Sequence, residues 1–123
     1  MYEVRSVRQR DPNLRLRWFT TESCNFDLYV WEHAESGSIV HFQFYFDRNM
    51  EEKLVEWKST TFRYAVVDGG GNGFFKSSPL LCRIDHIDLQ GVLHIFKSIA
   101  EDVDEYIREF IVDRFREKLL KAG

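Results

Sequence analysis

Carboxylates come nearest to a chemical arrangement in this chain. Asp27 opens one run of alternating residues, Asp47 closes the next, and Asp68 closes a later one. If those runs are antiparallel strands, all three fall at the same end of a sheet. Glu51 and Glu52 lie in the intervening loop, with Asn25 and Asn49 nearby. An oxygen-rich rim of this kind suits a hard cation such as Ca²⁺ or Mg²⁺. Turns also select Asp and Asn for local hydrogen bonding, and no DxDxDG-like spacing backs the metal.

The other reactive residue types form no set. His33, His41, His86 and His94 include no i,i+4 pair and no HExxH. His41 stands apart because its strand neighbours would be Trp31 and Gln43, where an imidazole could titrate with a ligand or an interface. The glycine-rich run 68–73 lacks both the GxxxxGK[ST] and the GxGxxG pattern, and reads as a connection using positive-φ residues. GxSxG is absent, so no serine triad is assigned. Cys24 and Cys82 have neither CxxC nor metal-type spacing; two free thiols or one disulfide are the alternatives. No catalytic residue and no cofactor are assigned.

Positioning these residues falls to an aromatic hairpin. Residues 26–46 read FDLYVWEH, AESGS, IVHFQFYF: two aromatic and β-branched runs around a turn-forming segment. A one-residue slip would exchange the two faces, so the apolar pattern selects the register. Val30 opposite Phe42, Leu28 opposite Phe44 and Phe26 opposite Phe46 give a purely apolar face. Trp31 opposite His41, Tyr29 opposite Gln43 and Asp27 opposite Tyr45 give an aromatic face with polar tips.

Around that hairpin the chain reads as an α+β domain over residues 1–123. Residues 1–13 form an arm or short edge strand, broken by Pro12 and Asn13. Residues 14–76 make an antiparallel meander of about five strands, residues 85–121 two C-terminal helices packed on one face of it. Leu14, Leu16 and Trp18 alternate with Arg15 and Arg17, which places Leu16 by Val30, Trp18 by Leu28, and both arginines on the aromatic face. Residues 53–58 and 62–68 pair with Trp57 by Phe62, Val55 by Tyr64 and Glu56 across from Arg63. Their connection, Ser59–Thr61, lacks the Gly or Asn of an ideal two-residue turn. Phe74–Lys76 reads as a further short strand. From Asp85 the period changes to that of a helix, with Leu89, Val92, Leu93, Phe96, Ile99 and Ala100 on one stripe and Asp85 or Asp88 as N-cap. Asp102–Glu105 reads as a second start, with one long helix as the alternative because the stripe stays in phase across residues 101–104. Asp104–Arg108 and Glu117–Lys121 read as i,i+4 ion pairs.

Composition sets limits on function. An apolar content of 44% with 15% aromatics is too hydrophobic for disorder. A net charge of −3 argues against a nucleic-acid surface, although residues 1–17 carry five arginines against Glu3 and Asp11. No apolar run approaches the ~18 residues of a membrane span, and residues 1–10 lack the apolar core of a signal peptide. A cytoplasmic protein is expected.

Arg15, Arg17, Tyr29, Trp31, His41, Gln43, Tyr45, Glu56 and Arg63 are therefore expected on the sheet face away from the helices. A solvated face carries mostly Thr, Lys and Glu, whereas Tyr, Trp and Arg typify interface cores. A homodimer through this face is the leading expectation. A small-molecule groove there, or a small enzyme or metal-dependent protein using Asp27, Asp47 and Asp68, is the alternative. The run WF…FDLYVWEH…IVHFQFYFD…LVEW…VVDGG, with the two helices, resembles short bacterial single-domain proteins of no assigned function. That resemblance implies a bacterial cytoplasmic origin and carries no activity with it.

Overall fold

Antiparallel pairing runs through the computed structural model in chain order, so each strand lies beside its sequence neighbour. The structure describes residues 1–68 and 80–122, except the side chains of Asp68, Leu80 and Ala122. The strands are β1 (Tyr2–Val4), β2 (Leu14–Thr20), β3 (Asp27–His33), β4 (Ile39–Phe46), β5 (Lys53–Lys58), β6 (Thr61–Asp68) and β7 (Leu80–Ile84). Two helices follow, α1 (Leu89–Ile99) and α2 (Glu105–Ala122). The α+β class is as expected, with seven strands among the described residues rather than about five. The arm contributes β1 at one edge, and β7 closes the other. The strand expected at Phe74–Lys76 lies outside the described residues.

From β3 to β6 the apolar pattern does select the register. Val30 pairs with Phe42, Leu28 with Phe44, Tyr29 with Gln43 and Trp31 with His41. Trp57 pairs with Phe62, Val55 with Tyr64 and Glu56 with Arg63. The β5–β6 hairpin forms despite its turn residues: Ser59 and Thr60 both take left-handed φ, 52° and 63°. Those signs belong to a type I′ turn, whose twist matches that of the strands. An irregularity between Trp31 and Glu32 lets Glu32 pair with Ile39, bulging Val40 out of the ladder.

Phe42, Phe44, Val55 and Trp57 form the inner face, and both helices lie on it. Phe96 of α1 meets Phe44 edge-on at 5.4 Å, and Phe110 of α2 meets Trp57 edge-on at 5.2 Å. Phe115 reaches both Phe42 and Phe62. Truncating Phe42, Phe44, Phe96 or Phe115, each fully buried, to Ala should destabilise by about 3–5 kcal/mol. α1 starts at Asp88, whose carboxylate accepts from the Gly91 amide. The chain breaks after Ala100 and restarts after Asp104, whose carbonyl accepts from Ile107 and Arg108. Val103, in the break, is buried and plugs the core between the helices. The expected Asp104–Arg108 and Glu117–Lys121 pairs are replaced: Asp104 binds Arg17, Glu117 binds Arg114, and Arg108 turns back to the Glu101 carbonyl. Among the described residues no helix is long and apolar enough to cross a membrane.

Candidate functional site

Strand β2 pairs one residue away from its expected register. Leu16 lies opposite Trp31, Arg17 opposite Val30 and Trp18 opposite Tyr29. A shift of one exchanges faces, so the placement of Arg15 and Arg17 on the aromatic face is corrected. Both point to the helix side, where Arg15 stays exposed and Arg17 is 6% exposed. Leu16 and Trp18 take their places on the open face.

Arg17 is held under the helices by charge. Its guanidinium makes a two-pronged contact with Glu3 of β1 at 2.9 and 2.8 Å and reaches Asp104 at 2.8 Å. It also donates to the Tyr106 hydroxyl at 2.8 Å, while that hydroxyl donates to Glu32. Glu32 is 3% exposed, and Arg17 lies 3.8 Å from it. Bidentate Arg–carboxylate geometry is strong and directional, and the Glu3 hydrogen bond first, with Asp104 adding, holds the guanidinium charged. In return Arg17 holds the Glu3 carboxyl below its ordinary range. Instead of covering Tyr29 or Trp31, the guanidinium lies 5.3 Å from the Phe19 ring on the helix side. The cluster ties β1, β2, β3 and the start of α2 together.

The open face can be laid out in rows across the strands. Trp18, Tyr29, Gln43, Glu56 and Arg63 form one row. Leu16, Trp31, His41 and Lys58 form the next. Thr20, Asp27, Tyr45 and Leu54 form the row on the other side. Tyr29, Trp31, His41, Gln43 and Tyr45 are therefore brought together as expected. Their rings make a connected array: Trp18 stacks on Tyr29 at 5.8 Å, Tyr29 meets Tyr45 edge-on at 5.9 Å, and Trp31 stacks on His41 at 4.1 Å.

Trp18, His41, Gln43 and Tyr45 have polar partners within the array. The Trp18 Nε1–H donates to Asp27 at 2.8 Å. Gln43 and His41 both reach Oε2 of Glu56 at 2.7 Å. A carboxylate only accepts, so His41 presents Nε2–H there. The His41 bond first, and the Gln43 bond after it, keep the Glu56 carboxyl below its ordinary range. Burial pushes the Tyr45 phenol up to about 12, with Tyr29 and Glu56 adding to it. Burial, then the Asp27 charge, raises Tyr29 as well. Glu56 lies across from Arg63 as expected, but its carboxylate is committed to His41 and Gln43.

The acidic rim is internally paired. Asp27, 4% exposed, accepts from Trp18 and from Arg48 at 2.9 Å, and Asp47 faces Lys53 at 3.6 Å. Burial raises the Glu52 carboxyl, opposed by Arg48. Asp68 ends β6, and its side chain lies outside the described residues. Among the described residues no three of His, Cys, Asp and Glu converge as a metal ion would require. Cys24 and Cys82 are free, exposed thiols.

Two depressions flank the array. One of about 350 Å³ lies at the acidic end, over Tyr29, Tyr45 and Gln43 and beside Asp27, Arg48 and Glu52. Another of about 660 Å³ lies at the opposite end, between the 5–13 loop and the β4–β5 strands, with Leu16, Trp31 and His41 at its base. Sequence reasoning missed Trp18 because the Trp18-Phe19 pair offers an aromatic to either face. The signal that could have found it is Asp27, a carboxylate needing a donor where the strand begins. No family model, curated protein or solved structure matches the chain.

Proposed function

We propose that this chain is a binding protein that self-associates through its aromatic sheet face. The observation that carries the reading is the way side chains of that face anchor one another. Trp18 is tied to Asp27, and His41 and Gln43 are tied to Glu56, so the rings sit in fixed positions before any partner arrives. Preset aromatic side chains lose little rotamer freedom on association, which is where much of the cost of an interface lies. Enzyme sites instead aim unpaired acids and bases at a substrate, and here His41 and Glu56 are paired with each other and Asp27 with Trp18 and Arg48. Tyr and Trp at the centre with charged residues at the margins is the distribution found in interface cores and rims. A two-fold pairing of identical faces is the commonest way to cover such a surface.

Sedimentation equilibrium of the wild type and of a Tyr29→Ala/Tyr45→Ala variant tests this, with circular dichroism reporting the fold. A wild-type dimer whose dissociation constant rises by roughly 30-fold or more in the variant is expected, as for loss of central hot-spot residues. A monomeric wild type at about 0.1 mM, or a dimer indifferent to the variant, would overturn the reading.

A further inference from the structure

We infer that the groove at the opposite end of the face from Asp27 binds a small organic anion carrying a planar ring. The wall toward the chain's start carries Arg8 and Arg10, and the far wall carries Lys58 of β5. Among the described residues, no carboxylate pairs with any of the three within ion-pair distance. Asp11 is the acidic residue of the lining, and its Oδ1 is taken by the Asn13 amide at 2.8 Å. A protein of net charge −3 thus gathers three cations around one groove. Three cations against the single Asp11 leave the low-dielectric walls net positive, which concentrates the opposite ion there.

The wall is built, not draped. Gln9, between Arg8 and Arg10, uses its amide to donate to the Leu16 carbonyl at 2.8 Å and accept from the Leu16 amide at 2.7 Å. Further along, the Leu14 amide donates to the Asp11 carbonyl and the Ala34 amide to the Asn13 carbonyl. The backbone that carries the two arginines is therefore held beside β2, while their side chains stay exposed and free to meet a ligand. Beneath them the floor is apolar and aromatic, with Leu16 and Trp31, which favours a flat ring over a bare inorganic ion. The volume of about 660 Å³ lies within the ~300–1,000 Å³ usual for small-molecule sites. Charge on one side and ring surface on the other select for a molecule with both. A mononucleotide and an aromatic carboxylate share that chemistry. The site does not require self-association, and because Trp31 and His41 belong to both surfaces, ligand and partner compete for them.

The test is heteronuclear NMR titration of the full chain with adenosine monophosphate, benzoate, inorganic phosphate and neutral adenosine, each taken to about 10 mM. The expected result is shifts centred on Leu16, Trp31 and His41 with one or both ring-bearing anions, and at least ~10-fold weaker binding for phosphate and for adenosine. Which of the two anions binds more tightly identifies the headgroup, phosphate or carboxylate. An Arg8→Ala/Arg10→Ala variant, altered only in exposed loop residues, should lose binding by at least ~10-fold while folding is unchanged. The Tyr29→Ala/Tyr45→Ala variant should keep it, so failure of self-association and failure of this site read separately. No shift with either ring-bearing anion, phosphate or adenosine binding as tightly as they do, or full binding by the arginine variant would each overturn the assignment.

Discussion

His41 and Glu56 are joined across β4 and β5 by a 2.7 Å hydrogen bond, and the oxygen that receives it also receives Gln43. That one carboxylate oxygen sets the positions of two side chains at the centre of the open face. With Trp31 stacked on the imidazole at 4.1 Å, the position of a tryptophan follows from that of a glutamate.

Glu56 therefore gives the fold an acid limb of known sign. Its folded carboxyl is held below the ordinary value of 4.5. A lowered carboxyl contributes stability that is present above the unfolded value and lost as pH falls through the folded one. Glu3, lowered by Arg17, acts in the same direction. Glu56→Gln should flatten the fall in stability between about pH 5 and about pH 3 without abolishing it. Urea denaturation of both proteins across that interval checks this; identical slopes would show that His41 and Gln43 do not stabilise the ionised form.

Arg17→Ala should be among the most damaging single changes outside the aromatic core. It leaves Glu32 buried and Glu3 without its bidentate partner, a situation that typically costs about 3–5 kcal/mol. Arg17→Lys keeps the charge but not the fork, and should recover only part of the loss. Chemical denaturation of both variants measures the difference. Equal stability of Arg17→Ala and wild type would remove the cluster from any account of how α2 is anchored.

At the β5–β6 turn the effect runs the other way. Ser59 and Thr60 occupy left-handed backbone that L-residues adopt at about 1–2 kcal/mol each, and Thr60 is β-branched. Asn-Gly is the sequence such a turn favours. Ser59→Asn/Thr60→Gly should stabilise by about 1–2 kcal/mol, visible as a raised denaturation midpoint at unchanged slope.

Gly91 and Asp88 should prove coupled. Glycine in a helix ordinarily costs about 1 kcal/mol against alanine. A Cβ at Gly91, however, would fall inside contact distance of the Asp88 carboxylate that caps α1. Gly91→Ala alone should give close to no gain, because the helix advantage is offset by the displaced cap. In an Asp88→Ala background the same change should stabilise by about 1 kcal/mol. An additive cycle would mean the carboxylate moves aside freely.

Strands β3 to β6 were legible because the middle of each carries apolar residues on one face. These are Leu28 and Val30 in β3, Phe42, Phe44 and Phe46 in β4, Val55 and Trp57 in β5, and Phe62 and Tyr64 in β6, and only one register brings them together. β2 was not, because Leu14, Leu16 and Trp18 imitate a core face while the true inward positions hold Arg15, Arg17 and Phe19. What fits Arg17 for burial is a set of partners drawn from Glu3, Glu32 and Asp104, the last of them 87 residues away in sequence. No local pattern encodes such a distant match. β1 was half legible, as three residues of weak alternation that gain definition only by pairing with Trp18, Phe19 and Thr20. The helices were plain from periodicity, but their break was not, because the apolar stripe stays in phase across residues 101–104 and only the acidic residues before α2 marked it. The aromatic half of the open face was readable through its pairing in the hairpin; its hydrogen bonds were not, since Glu56 bonds diagonally to His41 rather than to Arg63 opposite.

Gln9 has one more effect. β1 covers only the Trp18–Thr20 portion of the outer side of β2, and beyond it both main-chain groups of Leu16 are occupied by a side-chain amide. Bare strand margins are templates on which foreign chains, or other copies of the same chain, can add and grow fibrils. A single glutamine shuts that template where β1 stops, without needing another strand. Along this margin molecules can meet the sheet only broadside, through side chains, so that recognition is decided by ring and charge and not by indiscriminate main-chain bonding.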